Sequence, residues 1–122
     1  MEAGTGSKFV KFGTFESQSF DCTVPTSLAT EICTGDKAGF NFLTWNAQKQ
    51  GPTDIQLQIA TNDNNSTWNF VGPDGTESSF YENPGSIPLN FIQSRYFRYK
   101  VILSGNGGVT PILNDFTLNY SP

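Results

Sequence analysis

The decamer RYFRYKVILS (residues 95–104) alternates strictly, with Phe97, Tyr99, Val101 and Leu103 on one side and Tyr96, Arg98, Lys100 and Ile102 on the other. A period of two marks an extended strand, because successive side chains leave a β-backbone on opposite faces. TDIQLQIAT (53–61) repeats the pattern, with Ile55, Leu57 and Ile59 on one face and Gln56 and Gln58 on the other. So does ILNDFTLNY (112–120), with Ile112, Phe116, Leu118 and Tyr120 inward and Asp115, Thr117 and Asn119 outward. Strands with one apolar and one polar face belong to antiparallel sheets that keep one side wet.

Working outward, KFVKFGTFESQSFD (8–21) reads as one long or two short strands carrying Phe9, Phe12, Phe15 and Phe20. AGFNFLTWNAQ (38–48) reads as another, with Leu43, Trp45 and Ala47 on one face, so that Trp45 is expected in the core. Shorter strands are expected at 68–71 and 79–82. Between these runs stand TGDKAG, KQGPTD, TNDNNS, GPDG, NPG and SGNGG, spaced as turns are in an all-β sandwich. In GPDG, Pro73 and Asp74 suit the two central positions of a type I turn flanked by Gly72 and Gly75. The one helical candidate is a short turn around residues 27–32. The expected fold is all-β, a two-sheet antiparallel sandwich of jelly-roll type with little or no helix. Residues 1–12 form an N-terminal extension or first strand, and residues 13–120 a single domain.

The composition of the 122 residues agrees: aromatic residues make up 14% and charged residues only 15%, against roughly 25% charged in ordinary soluble proteins. Seven Lys and Arg against eleven Asp and Glu leave a net charge of −4. Arg95, Arg98 and Lys100 interleave with aromatic rings as a nucleic-acid stacking platform can, but three cations on an acidic domain make few phosphate contacts, and no nucleic-acid partner is expected. Cys22 and Cys33 have no His and no further thiol beside them to complete a zinc site. A disulfide closing a polar loop is the preferred reading and two reduced thiols the alternative; the disulfide implies an oxidising, extracellular location. No stretch is apolar for long enough to span a membrane, and MEAGTGSKFVKFG lacks the form of a signal peptide, so an exported protein with this sequence is expected to be a processed form or an excised domain.

With no His, neither Ser-His-Asp nor Cys-His chemistry is available, and an enzyme has to rely on carboxylates such as Asp54, Asp63, Asp74, Glu77, Glu82 and Asp115. Most of these sit beside Gly, Pro, Asn or Ser, where turn hydrogen bonding accounts for them, and no catalytic residue is assigned. Asn62, Asp63 and Asn64 offer oxygen ligands for a calcium ion, with a hairpin loop as the alternative; no other cofactor is expected. The same run carries two Asn-x-Ser/Thr sequons, at Asn64 and Asn65, which matter where the source has a eukaryotic secretory pathway. Trp68 follows a polar loop and points either into the core or outward as a platform for a sugar ring. For carbohydrate binding, the candidates are Trp68 or Tyr81 as stacking face and Asp63, Asn65, Asp74 or Arg95 as hydrogen-bonding partners.

Several motifs together carry a resemblance: FESQSFD (15–21), LTW (43–45), IQLQIAT (55–61), WNFVGPDGT (68–76), RYFRYK (95–100) and TPILNDFTLNY (110–120). Over residues 13–120 the chain resembles a β-sandwich domain of bacterial cell-surface and secreted proteins, especially the extracellular part of type IV pilin-like (prepilin-type) proteins. The resemblance implies a galactose-binding-like or lectin-like jelly roll, a place at the cell surface, and a glycan, a surface protein or, in a full-length pilin, other pilus subunits as partners. It brings no catalytic residues, and the hydrophobic N-terminal helix that builds a pilus is not found in these residues. The functional expectation is a non-enzymatic adhesion or protein-contact module, with a carbohydrate-binding module as the alternative.

Overall fold

The computed structural model describes residues 2–5, 8–9, 13–26, 31–48, 54–104 and 112–122. Within them run strands β1 (Glu2–Thr5), β2 (Lys8–Phe9), β3 (Gly13–Glu16), β4 (Phe20–Asp21), β5 (Ala38–Gln48), β6 (Asp54–Asn62), β7 (Gly85–Ser94), β8 (Tyr96–Ser104) and β9 (Ile112–Ser121), with no helix among the described residues. The turn expected around 27–32, the reversals at 49–53 and 105–110, and the side chains of Phe9, Phe12 and Ile112 lie wholly or partly outside them.

Every pairing is antiparallel. One sheet runs β1–β9–β5–β7, with β2 continuing β1 along β9; the other has β8 at its centre, flanked by β3 and β4 on one side and β6 on the other. Beyond β6, Val71 pairs with Ile59 and Tyr81 with Leu57, so these two residues supply a broken fourth strand. The chain thus passes from sheet to sheet at almost every connection, and its first strands lie beside its last, which is the wrapping of a jelly roll. The strands expected at 68–71 and 79–82 shrink to these single bridges, because residues 72–80 leave the sheet edge between them.

The alternation holds where it is strongest. Phe97, Tyr99, Val101 and Leu103 are buried, as are Ile55, Leu57, Ile59, Leu43 and Trp45. Aromatic rings bind the two sheets together: Tyr99 stacks on Phe116 at 4.0 Å, Phe40 meets Phe97 at 5.3 Å, and Phe20 meets Tyr120 at 5.1 Å. Two β-bulges alter the expected faces. Opposite β9, Asn41 is extra in β5, which buries Phe40 and exposes Phe42. Between the pairs Asn46↔Asp115 and Ala47↔Leu113, Asn114 is extra in β9, so Leu113 is buried as well as Phe116, where unbroken alternation put it outside.

Gln58, expected on a wet face, is buried, because residues 72–80 fold over the outer face of β6. Its amide nitrogen, Nε2, donates to the carbonyls of Glu77 and Ser79, both at 2.9 Å. The excursion begins with the predicted reversal: the Gly75 N–H donates to the Gly72 carbonyl at 3.1 Å across Pro73 and Asp74, and Gly75 takes φ 82°. A type I turn followed by a left-handed glycine is the usual three-residue hairpin. Gly72 has a different reason for being glycine. A Cβ there would lie 2.2 Å from the Ser79 carbonyl carbon and oxygen, both backbone atoms that cannot rotate away.

Candidate functional site

The chain changes sheets between β7 and β8 through one residue, Arg95, and most of the predicted polar site gathers around that corner. The Arg95 N–H donates to Asp63 Oδ1 at 3.0 Å, and its carbonyl accepts the Cys22 N–H at 3.1 Å. Its guanidinium forks onto Asp21, with Nε to Oδ1 at 3.1 Å and a terminal nitrogen to Oδ2 at 3.2 Å, and also donates to Thr23 Oγ1. Cys22 and Cys33 form a disulfide with their Cα atoms 5.3 Å apart, and both half-cystines are buried. Arg95 therefore turns the corner and binds the bridged loop to it.

Asp63 completes the group, its Oδ2 lying 3.1 Å from Lys37 Nζ at an exposed position. The neighbouring asparagines are engaged within their own loop: Asn62 Oδ1 accepts the Asn65 N–H at 2.8 Å, and Asn64 Oδ1 accepts the N–H of Ser66 and of Thr67. This is Asx-turn bonding by Asn62 and Asn64, while the Asp63 carboxylate accepts from the Arg95 N–H and pairs with Lys37. Among the described residues no three of His, Cys, Asp and Glu come together as a metal site.

The corner carries charge that acid removes. Partial burial pushes the Asp21 carboxyl upward, but the Arg95 and Thr23 hydrogen bonds and the Arg95 charge outweigh it and hold its pKa below the usual carboxylate range. Asp63 is lowered mainly by Lys37 and then by the Arg95 N–H. A folded pKa below the unfolded one means that the unfolded chain binds more protons between the two, so stability falls as pH falls. The melting temperature is expected to hold at pH 5 to 7 and to decline below about pH 4, near the unfolded Asp value. Asp21→Asn should flatten that acid limb; an unchanged limb in this variant would exclude Asp21 as one of its sources.

Trp68 lies neither in the core nor free on the surface. It is half-buried against the outer face of the β8 sheet, where the Arg98 guanidinium stands 5.1 Å from the centre of the indole ring system. Phe70 receives Arg98 at 5.7 Å and Lys100 at 5.6 Å. Arg98 is further held by Glu16 at 3.3 Å and the Ser17 carbonyl at 2.8 Å. The Arg and Lys residues of RYFRYK thus each meet an aromatic ring within the domain.

Tyr81 occupies a third place. Together with Pro73, Phe80, Glu82, Asn83 and Ile87 it lines a cleft of about 250 Å³ where the free edge of one sheet, at β7, meets the free edge of the other, at Tyr81. Burial raises the Tyr81 phenol pKa, and Glu82 accepts a hydrogen bond from Gln56 at 3.0 Å. Asp74 stays within its own turn, accepting from Thr76 N–H and Oγ1 and from the Ser79 hydroxyl.

The structure therefore brings Asp63, Asn65 and Arg95 to one corner and separates them from Trp68, Asp74 and Tyr81. Sequence reading does not single out Asp21, Lys37 or Gln58 as site residues, and considers Arg98 only as a cation for nucleic acid. Asp21 had a legible signal, since Asp-x-Thr is a local turn motif, whereas the partners of the other three depend on the sheet pairing. No family model, curated protein or solved structure matches the chain.

Proposed function

We propose that the chain is a non-enzymatic module acting outside the cytoplasm, the head domain of a pilin-like or other surface protein, which presents its loops for adhesion or protein contact. The observation that carries this reading is the bridged loop: it ends in a buried disulfide fastened to the Arg95 corner, yet beside the two half-cystines it exposes Val24 and Ile32, at 51% and 47%. Apolar side chains held out on a covalently closed loop suit contact with another protein, and the bridge itself suits an oxidising compartment. Asp21, Asp63, Asp74, Glu16 and Glu82 each have a structural partner, so none is needed for catalysis to explain it.

Added domain is expected to compete with the attachment of the cells that produce the protein, and Val24→Ser/Ile32→Ser to lose that competition while keeping the wild-type melting temperature. Equal competition by the variant would sink the loop as the contact surface. An upstream coding sequence with a prepilin cleavage site and apolar helix would support the pilin-like context, whereas an adjoining hydrolase domain would favour the second reading. That reading is a carbohydrate-binding module. The cleft favours it, because two aromatic residues, Phe80 and Tyr81, line it together with Glu82 and Asn83. Glycan titration with Tyr81→Ala and Trp68→Ala tests it, and no binding across plant, bacterial and host glycans would count against it.

A further inference from the structure

The overlapping sequons Asn64-Asn65-Ser66 and Asn65-Ser66-Thr67 share one loop tip, and its geometry separates them. Asn64 is engaged at both ends of its amide: Oδ1 accepts from Ser66 N–H at 2.9 Å and Thr67 N–H at 3.0 Å, and Nδ2 donates to Thr67 Oγ1 at 3.1 Å. Asn65 stands in the left-handed region at φ 55°, a conformation that asparagine tolerates better than most residues. Its Oδ1 accepts the Ser19 hydroxyl, and its Nδ2 has no hydrogen-bond partner among the described residues. Residues 63–67 are all exposed and lie beyond the end of β6, so a large substituent there meets no sheet neighbour. Asp63 stands two positions before Asn65 and Thr67 two positions after, so the loop satisfies both the short acceptor pattern and the extended one with an acidic residue upstream.

We infer that Asn65, and not Asn64, is an acceptor for an N-linked glycan; this rests on the proposed location outside the cytoplasm. In the transfer, Asn65 Nδ2 forms a bond to C1 of an oligosaccharide carried on a polyprenyl diphosphate. The bond from C1 to the phosphate oxygen breaks, the lipid diphosphate leaves with the electron pair, and Nδ2 gives up one proton. Asn65 Nδ2 has no bond to surrender among the described residues, whereas Asn64 Nδ2 must first release Thr67 Oγ1. Glycosylation at Asn65 also places the sugar beside Ser19.

The test is peptide mapping and intact mass, before and after reduction, of protein isolated from the cells that make it, together with variants expressed in the same cells. A glycan is expected on Asn65. It should be lost entirely in Thr67→Ala, retained in Thr67→Ser, and retained in Ser66→Ala, which destroys only the Asn64 sequon. Unmodified Asn65 with an oxidised Cys22–Cys33 pair overturns the glycosylation alone. Unmodified Asn65 with two free thiols overturns the proposed location as well. A glycan on Asn64, or one that survives Thr67→Ala, overturns the assignment to Asn65.

Discussion

Gln58→Glu is expected to destabilise the fold by about 3 kcal/mol or more at pH 7, as burial of an unpaired charge does. The wild-type amide gives both of its hydrogens to carbonyls of the excursion, those of Glu77 and Ser79, from a buried position. A carboxylate of the same shape has no hydrogen to give and faces two oxygen dipoles instead. Gln58→Ala leaves the same two carbonyls short of a donor and should cost about 1 to 3 kcal/mol. The two variants differ in their response to pH. Burial raises the folded pKa of the introduced Glu above its unfolded value of about 4.3, so the penalty is full at neutral pH and relaxes as pH falls through the folded pKa. Urea unfolding at pH 7 and pH 5 reads this directly. If both variants stayed within about 0.5 kcal/mol of wild type, as neutral surface substitutions do, Gln58 would not be what holds residues 72–80 over β6.

Removing the disulfide is expected to have an effect of similar size, through a different part of the free energy. Cys22 and Cys33 are eleven positions apart, and a loop of that length closed by a bridge gives about 3 kcal/mol on the chain-entropy model. Here the half-cystines also belong to the buried core, and the backbone joins them to the corner through Cys22 N–H to the Arg95 carbonyl and Cys33 N–H to the Cys22 carbonyl at 2.7 Å. For a domain of this size the loss corresponds to a fall in melting temperature of about 10 °C. Cys22→Ala/Cys33→Ala should show it without reductant, and the wild-type protein should approach the same value with reductant present. A shift below about 2 °C in both would mean that the loop is held by its other contacts, since 1 kcal/mol already moves a domain of this size by more than that.

The two effects differ in how far the sequence announces them. The disulfide is readable from two cysteines without a histidine or further thiol, because few roles remain for such a pair. Gln58 is not readable. Its neighbours Leu57 and Ile59 alternate with it, and alternation says only that Gln58 faces away from the core. Whether that second face meets water depends on where residues 72–80 go, and these are joined to β6 by Val71 and Tyr81, far along the chain. Arg95 misleads in the opposite direction: beside Tyr96 and Arg98 it reads as a surface cation open to a ligand, while its backbone and side chain together form the crossing between sheets. Phase errors in β5 and β9 have a local cause, since one extra residue in a ladder reverses every face beyond it, and neither Asn41 nor Asn114 advertises a bulge.

Local chemistry along the chain was enough to determine that this protein is all-β, which faces of its main strands are apolar, that Trp45 is buried, and that Gly72 to Gly75 reverses the chain. Each of these follows from the two-residue period of a strand or from the dihedral preferences of proline and glycine, which act over a few neighbours. Only the tertiary structure decided that first strands pair with last, that Arg95 is a corner, that Trp68 rests on Arg98, and that the Asn65 amide oxygen meets Ser19. These depend on hydrogen bonds and ring contacts between residues distant in sequence, and such partners are chosen by the packing of the two sheets as a whole.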